Sequence, residues 1–272
     1  MSIHPTAIIS PKAQIAENVT VGPFSIIHDN VIIKENTIID SYCELGLANN
    51  LSEGKMLIIS ENSHIRSRST FYEGSTFGPN LITGHSVTVR ENTIVGTHFQ
   101  LGTLSDIQGH CEIGDYVKTH SNVHIGQHSK IGNFVWIFPY VVLTNDPHPP
   151  SDVLQGAIIN DYAVLATMSV ILPGTLIAEG VFIGAHSSIG GKTEKDMLYA
   201  GVPAKKIGPT SKIRLKDGTR RPAYPWRSHF HRGYPEHIIE QWERELNQDV
   251  WYPRIRNRYE CLLFPNNYWY WY

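Results

Sequence analysis

Aliphatic residues recur along the chain at every sixth position. From the N-terminus they are Ile3, Ile9, Ile15, Val21, Ile27, Ile33, Ile39 and Leu45. A second run, in a shifted frame, goes from Ile65 through Val89, Leu101, Ile113 and Ile125 to Leu143, with Thr83 and Thr119 as its polar members. A third runs from Ile159 to Ile189. An amphipathic helix would repeat its apolar residues at three and four, and a half-buried hairpin strand at two. A strict period of six fits neither and marks an internal repeat. Glycine often follows the aliphatic site (Gly22, Gly84, Gly102, Gly126, Gly184), and a second site four residues on is mostly small or β-branched (Val87, Thr93, Cys111, Val123, Ser129). The period therefore predicts short strands joined by tight corners, with two inward positions per hexad. Cys43 and Cys111 fall on the second inward position, which makes them packing residues ahead of chemical ones.

This pattern resembles the hexapeptide-repeat acyltransferases over roughly residues 3–207, ending in Gly201-Val202-Pro203-Ala204-Lys205. The resemblance implies an all-β, left-handed parallel β-helix in which three hexads make one triangular coil, so that residues 18 apart stack. The domain reading is a β-helix over 1–207 and an aromatic-rich C-terminal extension over 208–272.

The frame slips twice, which places loops near 46–64 and 144–156. The second contains Asn145-Asp146-Pro147-His148-Pro149-Pro150, and its prolines exclude it from a strand. After residue 210 the period is lost. Five of the six tryptophans lie there, at 226, 242, 251, 269 and 271. Pro235-Glu236 is expected to open a short helix with Ile238, Ile239, Trp242 and Leu246 on one face. So aromatic a segment needs cover, and capping one end of a solenoid is the expected use.

Composition narrows the function classes. A net charge of −2 over 272 residues offers no polycationic surface, so nucleic acid is not an expected partner. No stretch is apolar and long enough to span a bilayer, and Met1-Ser2-Ile3-His4-Pro5 lacks a signal-peptide core, so a cytoplasmic protein without a membrane partner is expected. Three scattered cysteines, 43, 111 and 261, form neither a disulfide framework nor a zinc knuckle.

Stacking by 18 arranges the polar residues in columns. One outward column reads Thr88, Asp106, His124, Val142, so His124 has a carboxylate one coil away to orient its ring and stabilise its protonated form. A turn column reads Asn92, His110, His128, Asp146. A corner column reads Gly102, His120, Phe138, and continues through Ala166 and Gly184 if the chain rejoins one face further on after the proline loop. His120, His124 and His128 fall at different points of the hexad, so they do not converge as a zinc site within one subunit, and no metal is expected.

The stretches Gly102–Gly109, His120–Gly126 and Leu143–Pro147 are similar to N-acyltransferases acting on dTDP-linked amino-dideoxy sugars. That resemblance implies a homotrimer with sites between subunits, His124 and Asp106 as catalytic residues, and Asn122, Asn145 and Asp146 at the sugar. It also implies acyl transfer from acyl-CoA, with acetyl-CoA the expected donor, onto the amine of a nucleotide-linked sugar. One departure is that Val142 stands where some relatives carry a carboxylate. For acyl-CoA the expected line is His120, Ala166 and Gly184, where small residues admit a ligand to the backbone, ending near Lys192, Lys205 and Lys206 as partners for its phosphates. Three other readings remain: an O-acyl or acyl-carrier-protein-dependent transferase, a metal enzyme resembling the γ-carbonic anhydrases, and a scaffold without activity.

Overall fold

A computed structural model describes residues 2–249. Trp251, Trp269, Trp271 and Cys261 lie outside the described residues. The chain winds into a left-handed parallel β-helix of about 11 turns, followed by one helix, α1 (Glu236–Asp249). Its strands, most of them two residues long, form three faces of twelve, ten and nine strands among the described residues, parallel throughout except for the last strand of the first face. The first face starts at Ser2–Ile3, the second at Ile8–Ile9 and the third at Gln14–Ile15.

The six-residue period translates directly into this architecture. In the two-residue strands the first residue faces outward and the second inward, as at Thr20–Val21 and Asp106–Ile107. The inward residues Ile39, Leu45, Ile65, Ile107, Ile125 and Ile183 are at most 1% exposed. Each such side chain contributes about 1.5–3 kcal/mol by leaving water, and stability accumulates coil by coil. Phe71 and Phe77 meet edge to face at 5.2 Å and widen the core near the first insertion.

The corners use residues in the left-handed backbone region, among them Leu104 (φ 58°), Asn122 (φ 58°), His128 (φ 65°) and Tyr140 (φ 61°). Asn tolerates that conformation better than most residues, so Asn122 has a structural reason for its place. Gly102 is small for another reason. A Cβ there would lie 2.2 Å from the carbonyl carbon of His120 in the next coil.

Both insertions leave the same corner, between the second and third faces. The first separates Glu44–Leu47 from Leu57–Ile59, and the second separates Val142–Leu143 from Ile158–Ile159. The second frame thus begins at Ile59, which is buried. The first insertion is tied down by two buried carboxylates. Glu73 accepts from Asn30 Nδ2 (2.8 Å) and Ser52 Oγ (2.9 Å), and Glu91 accepts from Asn49 Nδ2 (2.7 Å).

After Ile189 the chain crosses to the first face as Met197–Gly201, then turns back antiparallel as Ala204–Pro209. One compact unit runs through Pro225 and a second starts at Trp226. Within the second, α1 buries Trp242, whose ring meets Trp226 at 5.5 Å and Tyr234 at 4.8 Å, both edge to face. Ile238 is buried on the same side of the helix, while Ile239 and Leu246 are half-buried.

Candidate functional site

On the second face, Thr88, Asp106, His124, Val142 and Val170 stack in register. Asp106 and His124 are first, outward-pointing residues of their strands, which is why two polar side chains meet on the surface of an apolar solenoid. His124 Nδ1 lies 3.1 Å from Asp106 Oδ1 and 3.0 Å from Oδ2, and both side chains are about one-third exposed. Gln108 Nε2 donates to Asp106 Oδ2 at 2.6 Å. Burial alone would raise the Asp106 carboxyl; the hydrogen bonds from His124 and Gln108, with the His124 charge, outweigh it and hold the carboxyl below its ordinary value.

Two other histidines make carboxylate contacts of similar length. His28 reaches Glu44 at 2.9 Å and His64 reaches Asp40 at 3.0 Å, both through Nε2. Only at His124, of these three, is the carboxylate met by Nδ1, which leaves Nε2, the outer ring nitrogen, for a ligand. His124 also lines a cleft of about 710 Å3, together with Thr144, Asn145, Asp146, Pro147, Pro149, Leu172, Pro173, Gly190 and Gly191. The second insertion is one wall of this cleft. Its neck is closed by Gln155 N–H donating to Asn145 O at 2.7 Å.

Asn145 and Asp146 thus share the cleft with His124. Asp146 does not continue the turn column of His110 and His128. Gly156 stands over His128 instead, where a Cβ would lie 2.1 Å from the His128 carbonyl carbon. The insertion starts before the turn is complete and carries Asp146 away from it. Asn122 sits at the preceding corner, between the first and second faces, and does not line the cleft.

The corner column expected for acyl-CoA has the predicted order, since Ile137, Leu165 and Ile183 pair in register ahead of Phe138, Ala166 and Gly184. Its character differs from an open groove. The His120 ring stacks on Phe138 at 4.7 Å, and Gly184 is buried with its missing Cβ only 2.9 Å from Ala200 Cβ. At Gly184 the absence of a Cβ serves the stacking of coils. Lys192 does not lie beyond the end of that column, because it bridges Leu176 on the third face. Lys205 is exposed and pairs with Ala200 in the terminal hairpin, and Lys206 is taken by Glu194 at 2.6 Å. Neighbouring Lys118 lies 5.0 Å from the Trp136 ring centre, and burial pulls its pKa down to about 8.

No group of three potential metal ligands occurs among the described residues. His120 is engaged with Phe138, His124 with Asp106, and His128 with His110, whose ring centre is 5.4 Å away. No helix of the described residues is long and apolar enough to cross a membrane.

The residues missed in the sequence are Gln108, Thr144, Leu172, Pro173, Gly190 and Gly191. The signal for Gln108 was present, because residues two apart in a strand share a side. Those at 172–173 and 190–191 follow strands of the second face, above the insertion, and are reached only once the rejoining frame is known.

Residues 2–46 match the family model described as bacterial transferase hexapeptide (six repeats), and the same period continues to Ile189. Two acyl-[acyl-carrier-protein]–UDP-N-acetylglucosamine O-acyltransferases are similar to this chain. That of Thermodesulfovibrio yellowstonii is 31% identical over 133 residues, covering 49% of this chain and 49% of the relative. That of Saccharophagus degradans is 32% identical over 139 residues, 48% of each. The bifunctional protein GlmU of Thermodesulfovibrio yellowstonii is 27% identical over 211 residues, 74% of this chain and 43% of the relative. The chain spans about half the length of the curated relatives it matches.

Proposed function

We propose that this protein is an acyltransferase that carries an acyl group from acyl-CoA to the amine of a nucleotide-linked amino-dideoxy sugar. The observation that carries the reading is that His124, held by Asp106 through Nδ1 so that Nε2 is left for a ligand, lines the cleft together with Asn145 and Asp146. The sugar amine attacks the thioester carbonyl carbon, and a tetrahedral oxyanion forms. His124 Nε2 takes the proton that the amine nitrogen loses. The C–S bond then breaks, the amide is left on the sugar, and the CoA sulfur leaves with a proton returned from the imidazolium. An imidazole side chain can both accept a proton and return it. Asp106 holds the ring and stabilises its charged form. Positioning of the two substrates supplies much of the remaining acceleration. The reading includes a homotrimer in which a neighbouring subunit completes the cleft; a monodisperse monomer in light scattering at micromolar concentration, from active enzyme, would remove that part.

A second reading is favoured by a specific observation, the names of the two O-acyltransferases. In it the donor is an acyl-[acyl-carrier-protein] and the acceptor a sugar hydroxyl, with the same histidine taking the hydroxyl proton. The deciding experiment is product mass spectrometry on a matrix of acyl-CoA and acyl-carrier-protein donors against nucleotide-linked sugars with and without an amine. Acylation confined to amino sugars with acyl-CoA is expected. Acylation of a hydroxyl from the carrier protein alone would establish the second reading and end the first.

A further inference from the structure

Asp106 is held from two sides. His124 Nδ1 approaches both of its oxygens, and the Gln108 amide donates to Oδ2 at 2.6 Å, the shortest hydrogen bond of the three. A carboxylate accepts only, so the amide must turn its N–H2 end inward. We propose that Gln108 is a positioning residue: through Asp106 it fixes the neutral His124 ring as the Nδ1–H tautomer, with the Nε2 lone pair directed at the cleft.

The argument is geometric. Asp106 stands on the strand Asp106–Ile107 and is about one-third exposed. A carboxylate one-third exposed and held by one ring alone is free to rotate about its χ angles and exchange that contact for water. Gln108, two residues on and on the same side of the chain, removes that freedom at a cost of one ordered side chain. His64 shows what the absence of such a brace accompanies. Its carboxylate, Asp40, is met by the opposite ring nitrogen, Nε2, which leaves only Nδ1, the nitrogen beside the Cβ. An Asp106 without its brace would leave the His124 ring free to turn about χ2, and a half turn carries the Cε1–H to the place of Nε2, so that the base would present a C–H instead of a lone pair.

The inference rests on the proposed role of His124 as a base, and its test separates the two. Side-chain nitrogen NMR of histidine-labelled full-length protein above pH 8, with His124→Gln as the assignment control, reads the tautomer directly. Gln108→Met keeps the length and removes the donor. It is expected to shift His124 from the Nδ1–H form toward a mixture, and to lower kcat about tenfold with little change in KM. Gln108→Glu keeps the shape and adds a negative charge facing Asp106 and His124. The added charge favours the imidazolium, so the acid limb of the pH–rate profile, where the base must be neutral, is expected to move to higher pH. An unchanged tautomer in Gln108→Met, together with an unmoved pH profile in Gln108→Glu, overturns the role of Gln108. A tautomer that shifts while turnover stays at the wild-type rate keeps Gln108 as the brace of the ring and overturns the base role of His124. A melting temperature within about 2 °C of wild type confirms that either variant is folded.

Discussion

His124 meets Asp106 through Nδ1 at 3.0 Å, whereas His64 meets Asp40 through Nε2 at the same distance. The two pairs have the same chemistry and opposite orientation, and only the first lines the cleft described above. His124→Ala is expected to lower turnover by about 10²–10⁴-fold, the usual worth of a general base, with the fold retained because the side chain points away from the core. His64→Ala is the matched control and is expected to keep full turnover. Steady-state rates of the two variants decide the matter, and equal rates would deny His124 any special place.

Asp106 carries a stability consequence with a definite sign. Its carboxyl is held below the ordinary value by His124 and Gln108 once the opposing effect of burial is overcome. A depressed carboxyl stabilises the fold above the unfolded-state pKa of about 3.9, and that contribution is lost as pH falls through the folded value. Asp106→Asn should therefore cost on the order of 1 kcal/mol at pH 7, a charge-assisted hydrogen-bond value discounted for the exposed third of the side chain. The difference should be smaller at about pH 3, below the unfolded-state value, than at pH 7. Urea unfolding of both proteins at the two pH values measures it. A gap that widens on acidification would contradict the assignment of the charge.

The Asp106–His124 column was legible because stacking by 18 depends only on an unbroken period, and the period is unbroken from Ile59 to Leu143. Asp146 was misplaced for the complementary reason. The sequence marks where the count resumes, at Ile159, but not which residue takes the corner before it; the pairing of Ile131 with Ile159 and the close approach of Gly156 to His128 give that place to Gly156. Lys192 was misplaced because the chain leaves the hexad frame after Ile189 and resumes as Met197–Gly201 on the first face. The corner glycines looked like room for a ligand, and sequence alone does not distinguish space for a ligand from space for the next coil. Gly184 against Ala200 is the second kind.

Glu91 anchors the first insertion from a fully buried position, accepting from Asn49 Nδ2 at 2.7 Å and from Arg90 Nε and Nη2 at 3.2 Å each. Replacement by Leu leaves the Asn49 amide without its acceptor and a guanidinium, itself one-third exposed, to turn to water. Breaking a buried pair costs about 3–5 kcal/mol; the escape open to Arg90 brings the expectation to about 2 kcal/mol. Trypsin should then cut faster after Lys55, inside the released loop. The surface pair Lys12–Asp29, with side chains 75% and 51% exposed, is the contrast: Lys12→Ala should leave the urea midpoint unchanged, because solvent screens so exposed a pair. Equal effects of the two substitutions would refute the anchoring role.

Cys111 and Cys43 are inward residues of the coils, and desolvation dominates their ionisation, pushing the thiols up to about 12 and about 11. The thiolate is the reactive form, so at pH 8 both are expected to resist iodoacetamide in the folded protein and to react fully in guanidinium. The same displacement has a consequence at high pH. Above the ordinary thiol value of 9.0 an unfolded chain releases protons that the folded chain retains, so stability from these groups falls as pH rises from about 9 toward the folded values. Peptide mass spectrometry after timed alkylation reads each site separately. Modification of Cys111 in the folded protein at the rate of a free thiol would show that the coil interior opens to solvent, and would undo the assignment of that cysteine to packing.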